Sequence, residues 1–273
     1  MQNFRDRMNR YNRGIDTNYL LGLGLAALAV ITLWWTPVLL PFRIFTTTIH
    51  EASHALTALI TGGRVVCFEV ETSGAGLTCT VGGWGFLVSS AGYLGSTLFG
   101  GLLLIWAKKE VGRRRLLYGL MAGLIIILLL FVVNILNIFS GEVKRDLFTL
   151  VLVGLVAALF GLVAYKGPDW LVTFFVYVTA LLSTLYAVFD MITLVFLTTN
   201  PLGGHNDARN LQQFTGIPAV FWAVIWSLLA VFILWQVSRI IFRPGKRSGK
   251  AGSGKGQPGS RSPFDSYEEL KRR

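Results

Sequence analysis

The chain has 273 residues, 53% hydrophobic and only 14% charged, with a formal net charge of +11. A soluble domain carries about 25% charged residues, whereas this chain repeats apolar runs of about 20 residues. That combination points to an all-α, polytopic integral membrane protein and leaves no segment for a sizeable soluble domain such as a PDZ or nucleotide-binding module.

Residues 1–18 form a basic N-terminal tail carrying Arg5, Arg7, Arg10 and Arg13. The apolar run that follows starts near Tyr19-Leu20 and is long enough to span. With no small-residue cleavage site, it reads as a membrane segment and not as a cleavable signal peptide. Seven spans are expected, at 19–40, 43–61, 85–107, 116–139, 147–165, 170–198 and 217–242, so the fold has six or seven transmembrane helices within a unit of 19–242. Pro41 separates the first two spans, Gly167-Pro168 the fifth and sixth, and Pro218 falls in the first turn of the last helix.

The second span contains His50-Glu51-Ala52-Ser53-His54. Positions i and i+4 share a helix face, so both imidazoles can bind one metal ion, and the intervening glutamate can act as general base on a metal-bound water. The chain has only three histidines, and two are here. Histidines packed between helices and bonded to backbone are the plain alternative. The i, i+4 pair with a glutamate between favours the metal.

After this span the hydrophobic period changes. Val65–Glu71 is β-branched and partly alternating, Ser73-Gly74-Ala75-Gly76 is a turn signal, and Leu77–Val81 resumes β character, which predicts a hairpin over about 64–82. Bare in lipid its edges would leave backbone groups unpaired, so it must lie at the interface or against protein beside the metal helix. There it serves either as a simple connector or as an edge that pairs with an extended peptide. Cys67 and Cys79 are the only cysteines and fall opposite each other across a turn at Ser73. A disulfide is open to them where this face meets an oxidising compartment; two reduced thiols are the simpler expectation.

Lys108, Lys109, Arg113, Arg114 and Arg115 fill the loop after the third span. Asn134 and Asn137 share a face of the fourth span, where interhelical hydrogen bonding is their expected role and polarising a substrate carbonyl a lesser one. Asp190 lies deep in the sixth apolar span, where a carboxylate costs roughly 2.5–3.5 kcal/mol, and ranks first as third metal ligand. Asp207 ranks second and His205 lies beside it, both in the polar connector 200–215, where Asp207 can equally cap a helix beginning at Ala208. Residues 243–273 form a basic Gly/Ser-rich tail, expected to be disordered. The basic runs read as topogenic charge with affinity for anionic lipid; no aromatic platform or folded module accompanies them, so nucleic acid is not an expected partner. The 108–115 loop and the tail are separated by four spans and so agree on a cytoplasmic side, while counting back through three more puts the Arg-rich N-terminus outside, against the same rule.

The H-E-x-x-H at 50–54, the following Gly62-Gly63-Arg64-Val65, the Gly-rich hairpin and Ser90-Ala91-Gly92-Tyr93-Leu94-Gly95 together resemble the site-2 protease family of intramembrane zinc metalloproteases. The similarity extends through Asp207-Ala208, Thr215-Gly216-Ile217-Pro218-Ala219 and Trp222, over roughly 43–235, and is nearest the compact bacterial branch without PDZ or CBS domains. The resemblance implies a zinc metalloendopeptidase of a bacterial cell membrane that cuts membrane-protein substrates, with His50 and His54 as ligands and Glu51 as catalytic base. It also implies a third ligand from an aspartate on a later helix, in an Asn-x-x-Pro-x-x-x-Leu-Asp-Gly setting. Here Met191 follows Asp190 and no proline precedes it nearby. The competing reading is a non-proteolytic membrane scaffold or a transporter that retains a metal site. An intact Glu51 argues against the first and a single ligand cluster against the second.

Overall fold

The structure, a computed structural model, describes residues 17–109, 112–133, 143–200 and 206–242. Among these residues, eight α-helices and one hairpin follow in chain order. α1 is Thr17–Leu33, a 3-10 turn covers Pro37–Leu39, and α2 is Leu40–Ile60. Strands β1 (Arg64–Val70) and β2 (Gly76–Val81) precede α3 (Gly85–Ala107). α4 (Arg113–Ile127) continues as a π-helical segment Leu128–Val133, followed by α5 (Val143–Lys166), α6 (Asp169–Thr199), the short α7 (Asp207–Thr215) and α8 (Ala219–Ile241).

Among the described residues, five helices are long and apolar enough to cross a membrane: α3, α4 with its extension, α5, α6 and α8. The first two expected spans differ from these. α1 stops at Leu33 and not near residue 40, because the chain turns at Thr36 and Pro37 starts the 3-10 turn. Pro41 therefore sits in the first turn of α2 and does not divide two spans.

α2 carries Arg43, three consecutive threonines and the His-Glu-His motif, so it is less apolar than the five spans, and it lies among α3, α5, α6 and the hairpin. Its β-branched run stays helical because Thr46 and Thr48 donate back to the Phe42 and Ile44 carbonyls at 2.9 and 2.7 Å, which satisfies their hydroxyls where water is excluded. The helix ends at a left-handed Gly62 (φ 83°), with the Gly63 amide donating to the Ala58 carbonyl at 2.7 Å.

The hairpin is antiparallel, pairs Cys67 with Cys79, and has a register irregularity between Val65 and Cys67. The expectation of reduced thiols is corrected: Cys67 and Cys79 form a disulfide, their Cα atoms 4.8 Å apart. The register decides this, since the turn at 71–75 places the two side chains directly across from each other. One face of β1 is buried through Phe68 and Val70, with Phe68 stacked on Phe131 and the Val70 amide donating to Thr149 Oγ1 of α5 at 3.1 Å. The hairpin thus packs against protein on α2 and α5.

α3 is the central helix, packed on α2, α6 and α8. Small residues let it come close: a methyl at Gly95 would stand 2.5 Å from Ser53 Oγ, and one at Gly100 would stand 2.9 Å from the Thr184 backbone nitrogen. At one end of the bundle, basic side chains satisfy helix C-termini. Lys108 donates to the Ile241 carbonyl at 2.5 Å, Arg113 to the Ala107 carbonyl at 3.2 Å, and Arg114 to the Ala164 and Gly167 carbonyls at 2.5 and 2.8 Å. Asn134, Asn137, His205 and residues 1–16 and 243–273 of the tails lie outside the described residues.

Candidate active site

α2 presents His50, Glu51 and His54 towards the hairpin, α3 and α7. The His54 Nδ1–H donates to the Val88 carbonyl of α3 at 2.6 Å, which orients the ring with Nε2 towards His50 and Asp207. His50 turns its Nε2 to within 3.1 Å of His54 Nε2 and lies edge-on to Tyr93 at 4.8 Å. Its own Nδ1 is buried without a partner.

Asp207 completes the cluster. Its Oδ2 is 3.3 Å from His54 Nε2 and 3.7 Å from His50 Nε2. The expected cap is shifted by one residue: Asn206 is the N-cap, its side chain accepting from the Arg209 amide at 3.0 Å, and Asp207 opens α7 with its carboxylate released towards the histidines. Burial raises the Asp207 carboxyl, but the charge of His54 and the hydrogen bonds from both histidines outweigh that and hold it below the ordinary carboxylate range.

α7 is held firmly enough to aim that side chain. Arg209 donates to the Leu197 and Asn200 carbonyls at the end of α6 at 3.1 and 2.5 Å. Gln212 Oε1 accepts from the Ala219 amide at 2.9 Å, and Trp222 Nε1 donates to Thr215 at 3.1 Å, which ties α7 to α8. Trp226 of α8 stacks on Tyr93 beside His50.

Among the described residues, His50, His54 and Asp207 form the one group of three that could hold a metal ion, with ligand atoms all within 4.8 Å of one another. Ligand atoms of one tetrahedral zinc stand about 3.3 Å apart, so this donor set fits. α3 leaves the space open at Gly92, where a methyl would meet His54 Nε2 at 2.2 Å and His50 Nε2 at 2.5 Å. Asp190, ranked first from sequence, is not in that group. It lies on α6, while Asp207 takes the position beside both imidazoles. The sequence ranking weighed depth in an apolar run, a local property; the fold of α7 against α3 and α8 is what brings Asp207 in.

Glu51 is buried, and its Oε2 accepts from Thr78 Oγ1 of β2 at 2.6 Å. Sequence reasoning did not single out Thr78 or Val88, and it assigned no role to Gly92 or Tyr93. The glycine and serine spacing at 90–95 was the one available signal for that close approach.

A family model described as peptidase M50B-like matches residues 23–237. No curated protein and no solved structure matches the chain.

Proposed function

We propose, from the premise that the chain belongs to the peptidase M50B-like family and is a membrane metalloprotease, that it is a zinc endopeptidase using Glu51 as general base. His50, His54 and Asp207 would hold the metal. The observation that carries this reading is the convergence of those three donors on one point, with Glu51 next to His50 in sequence. Zinc, when bound by these residues, would supply Lewis acidity that polarises the scissile carbonyl and makes the attacking water easier to deprotonate. Glu51 takes the proton of the attacking water as its oxygen bonds to the scissile carbonyl carbon, then delivers that proton to the amide nitrogen as the C–N bond breaks.

A helical substrate has its carbonyls internally hydrogen-bonded and must unwind before it can be cut. The β2 edge beside Glu51 can hold the unwound segment by strand pairing. Substrates are membrane proteins, and the basic tails bind anionic lipid, the C-terminal one on the cytoplasmic side.

Metal analysis of purified protein is the direct test. Wild type should carry about one zinc, His54→Ala should lose it, and Glu51→Gln should keep it while membrane proteins accumulate uncleaved. Unchanged zinc in His54→Ala would rule the centre out. The same experiment separates a scaffold, in which replacing Glu51 leaves the pattern of membrane proteins unchanged.

A further inference from the structure

Thr78 sits on β2, outside the motif helix, yet it donates a hydrogen bond to the Glu51 carboxylate. Its Oγ1 lies 2.6 Å from Glu51 Oε2 and 3.2 Å from the Glu51 carbonyl oxygen. The strand is pressed onto this side chain: a methyl at Gly76 would stand 2.6 Å from Glu51 Oε1 and 2.7 Å from Glu51 Cγ. Thr47, one turn earlier on α2, donates to the Gly74 carbonyl at 2.8 Å and anchors the turn of the hairpin to the same helix. Next to Thr78, Cys79 is joined to Cys67, and the Cys79 amide donates to Cys67 Sγ at 3.1 Å.

We propose that Thr78 is a positioning residue for Glu51, and that the hairpin is the arm that carries it. A glutamate has three rotatable bonds, and a general base must be held within hydrogen-bond reach of the proton it moves. One carboxylate oxygen is pinned by the Thr78 hydroxyl. The other lies over Gly76, where the missing side chain keeps it unobstructed. The single hydroxyl therefore chooses which oxygen receives the proton and from which side. The neighbouring disulfide fixes the register of β2, so that Thr78 and not Leu77 faces α2. This inference rests on Glu51 being the general base.

The test compares wild type, Glu51→Gln, Thr78→Val, Thr78→Ser and Thr80→Val as full-length protein in detergent micelles. The probe is a set of synthetic apolar transmembrane peptides with a quenched fluorophore pair, and zinc content is measured on every sample. Thr78→Val is isosteric and removes only the donor. Its kcat should fall about tenfold or more, with KM changed by less than about twofold and zinc content equal to wild type. Thr78→Ser restores the hydroxyl and should recover most of kcat. Thr80→Val, on the same strand and face, should stay within about twofold of wild type. An unchanged kcat in Thr78→Val overturns the assignment and leaves the protease reading standing. So does a kcat loss that Thr78→Ser does not recover, a loss shared by Thr80→Val, or a loss of zinc in Thr78→Val, since each means that the hairpin matters only as structure. If no peptide is cut in a Glu51-dependent way, the protease reading falls and the role of Thr78 falls with it.

Discussion

A methyl group at Gly92 would meet His54 Nε2 at 2.2 Å and His50 Nε2 at 2.5 Å, inside the space that the two imidazoles share. Backbone alone must occupy this point of α3, because the side chains opposite cannot withdraw: His54 is held by the Val88 carbonyl and His50 is packed against Tyr93. Gly92→Ala should therefore reduce zinc affinity by about tenfold or more, read by competition with a chromogenic chelator. Gly119→Ala on α4, where nothing lies within 4 Å, should leave it unchanged. The two aspartates separate in the same assay. Asp207→Asn removes a donor beside both imidazoles and should lose zinc. Asp190→Asn should retain it, because Asp190 is outside the cluster. A zinc loss confined to Asp190→Asn would reverse the proposed assignment. The motif was legible because a helix places i and i+4 side by side, a purely local relation. Asp207 was legible only as a second choice, since its approach depends on α7 packing against α3 and α8, which no local period encodes.

At the scale of elements, the hairpin was legible from its alternation and its turn residues, and the facing cysteines from the turn position. Their oxidation state was not, because it depends on the compartment as well as on register. Two strands alone are marginally stable in water, and this pair gains from the Cys67–Cys79 link and from docking on α2 and α5. Closing a loop of this order contributes about 3 kcal/mol. Reduction, or the Cys67→Ser and Cys79→Ser double variant, should raise amide exchange across 76–81 while leaving α3 and α6 protected, as read by hydrogen–deuterium exchange mass spectrometry. If Thr78 positions Glu51, peptide cleavage should fall in parallel while zinc content holds. Unaltered exchange after reduction would show that docking alone fixes the strand. The early helix boundaries were less legible. The apolar run from residue 19 continues past the point where the chain turns, and composition does not register a turn made by Thr36 and Pro37.

For the whole molecule, the two ends of the bundle differ in charge and chemistry, and this bears on the conflict that counting spans created. Lys108, Arg113, Arg114, Lys166 and Ile241 lie at or near one end, linked by the bonds from Lys108, Arg113 and Arg114 to helix carbonyls. The hairpin, Trp84, the end of α6 and α7 lie at the other, where the Trp84 amide donates to Thr61 Oγ1 and Phe86 meets Trp222. α1 starts at the cationic end, since Gly22 lies against the ring of Tyr177, whose hydroxyl accepts from Arg113. α2 finishes at the hairpin end. Together α1 and α2 therefore make one net crossing, so α1 starts at the same end of the bundle as the basic loop. By the positive-inside rule, the end that carries this loop is expected to face the cytoplasm. The five apolar helices alternate from Gly85 to Ile241 and leave the hairpin and α7 on the opposite side. With the basic end in the cytoplasm, the hairpin would face the side on which a disulfide persists. Both cysteines being in the hairpin makes the orientation measurable. Intact cells treated with a membrane-impermeant phosphine and then an impermeant maleimide should label the protein without permeabilisation. Labelling that appears only after permeabilisation would place the hairpin in the cytoplasm, and the basic end would then face outward against its charge.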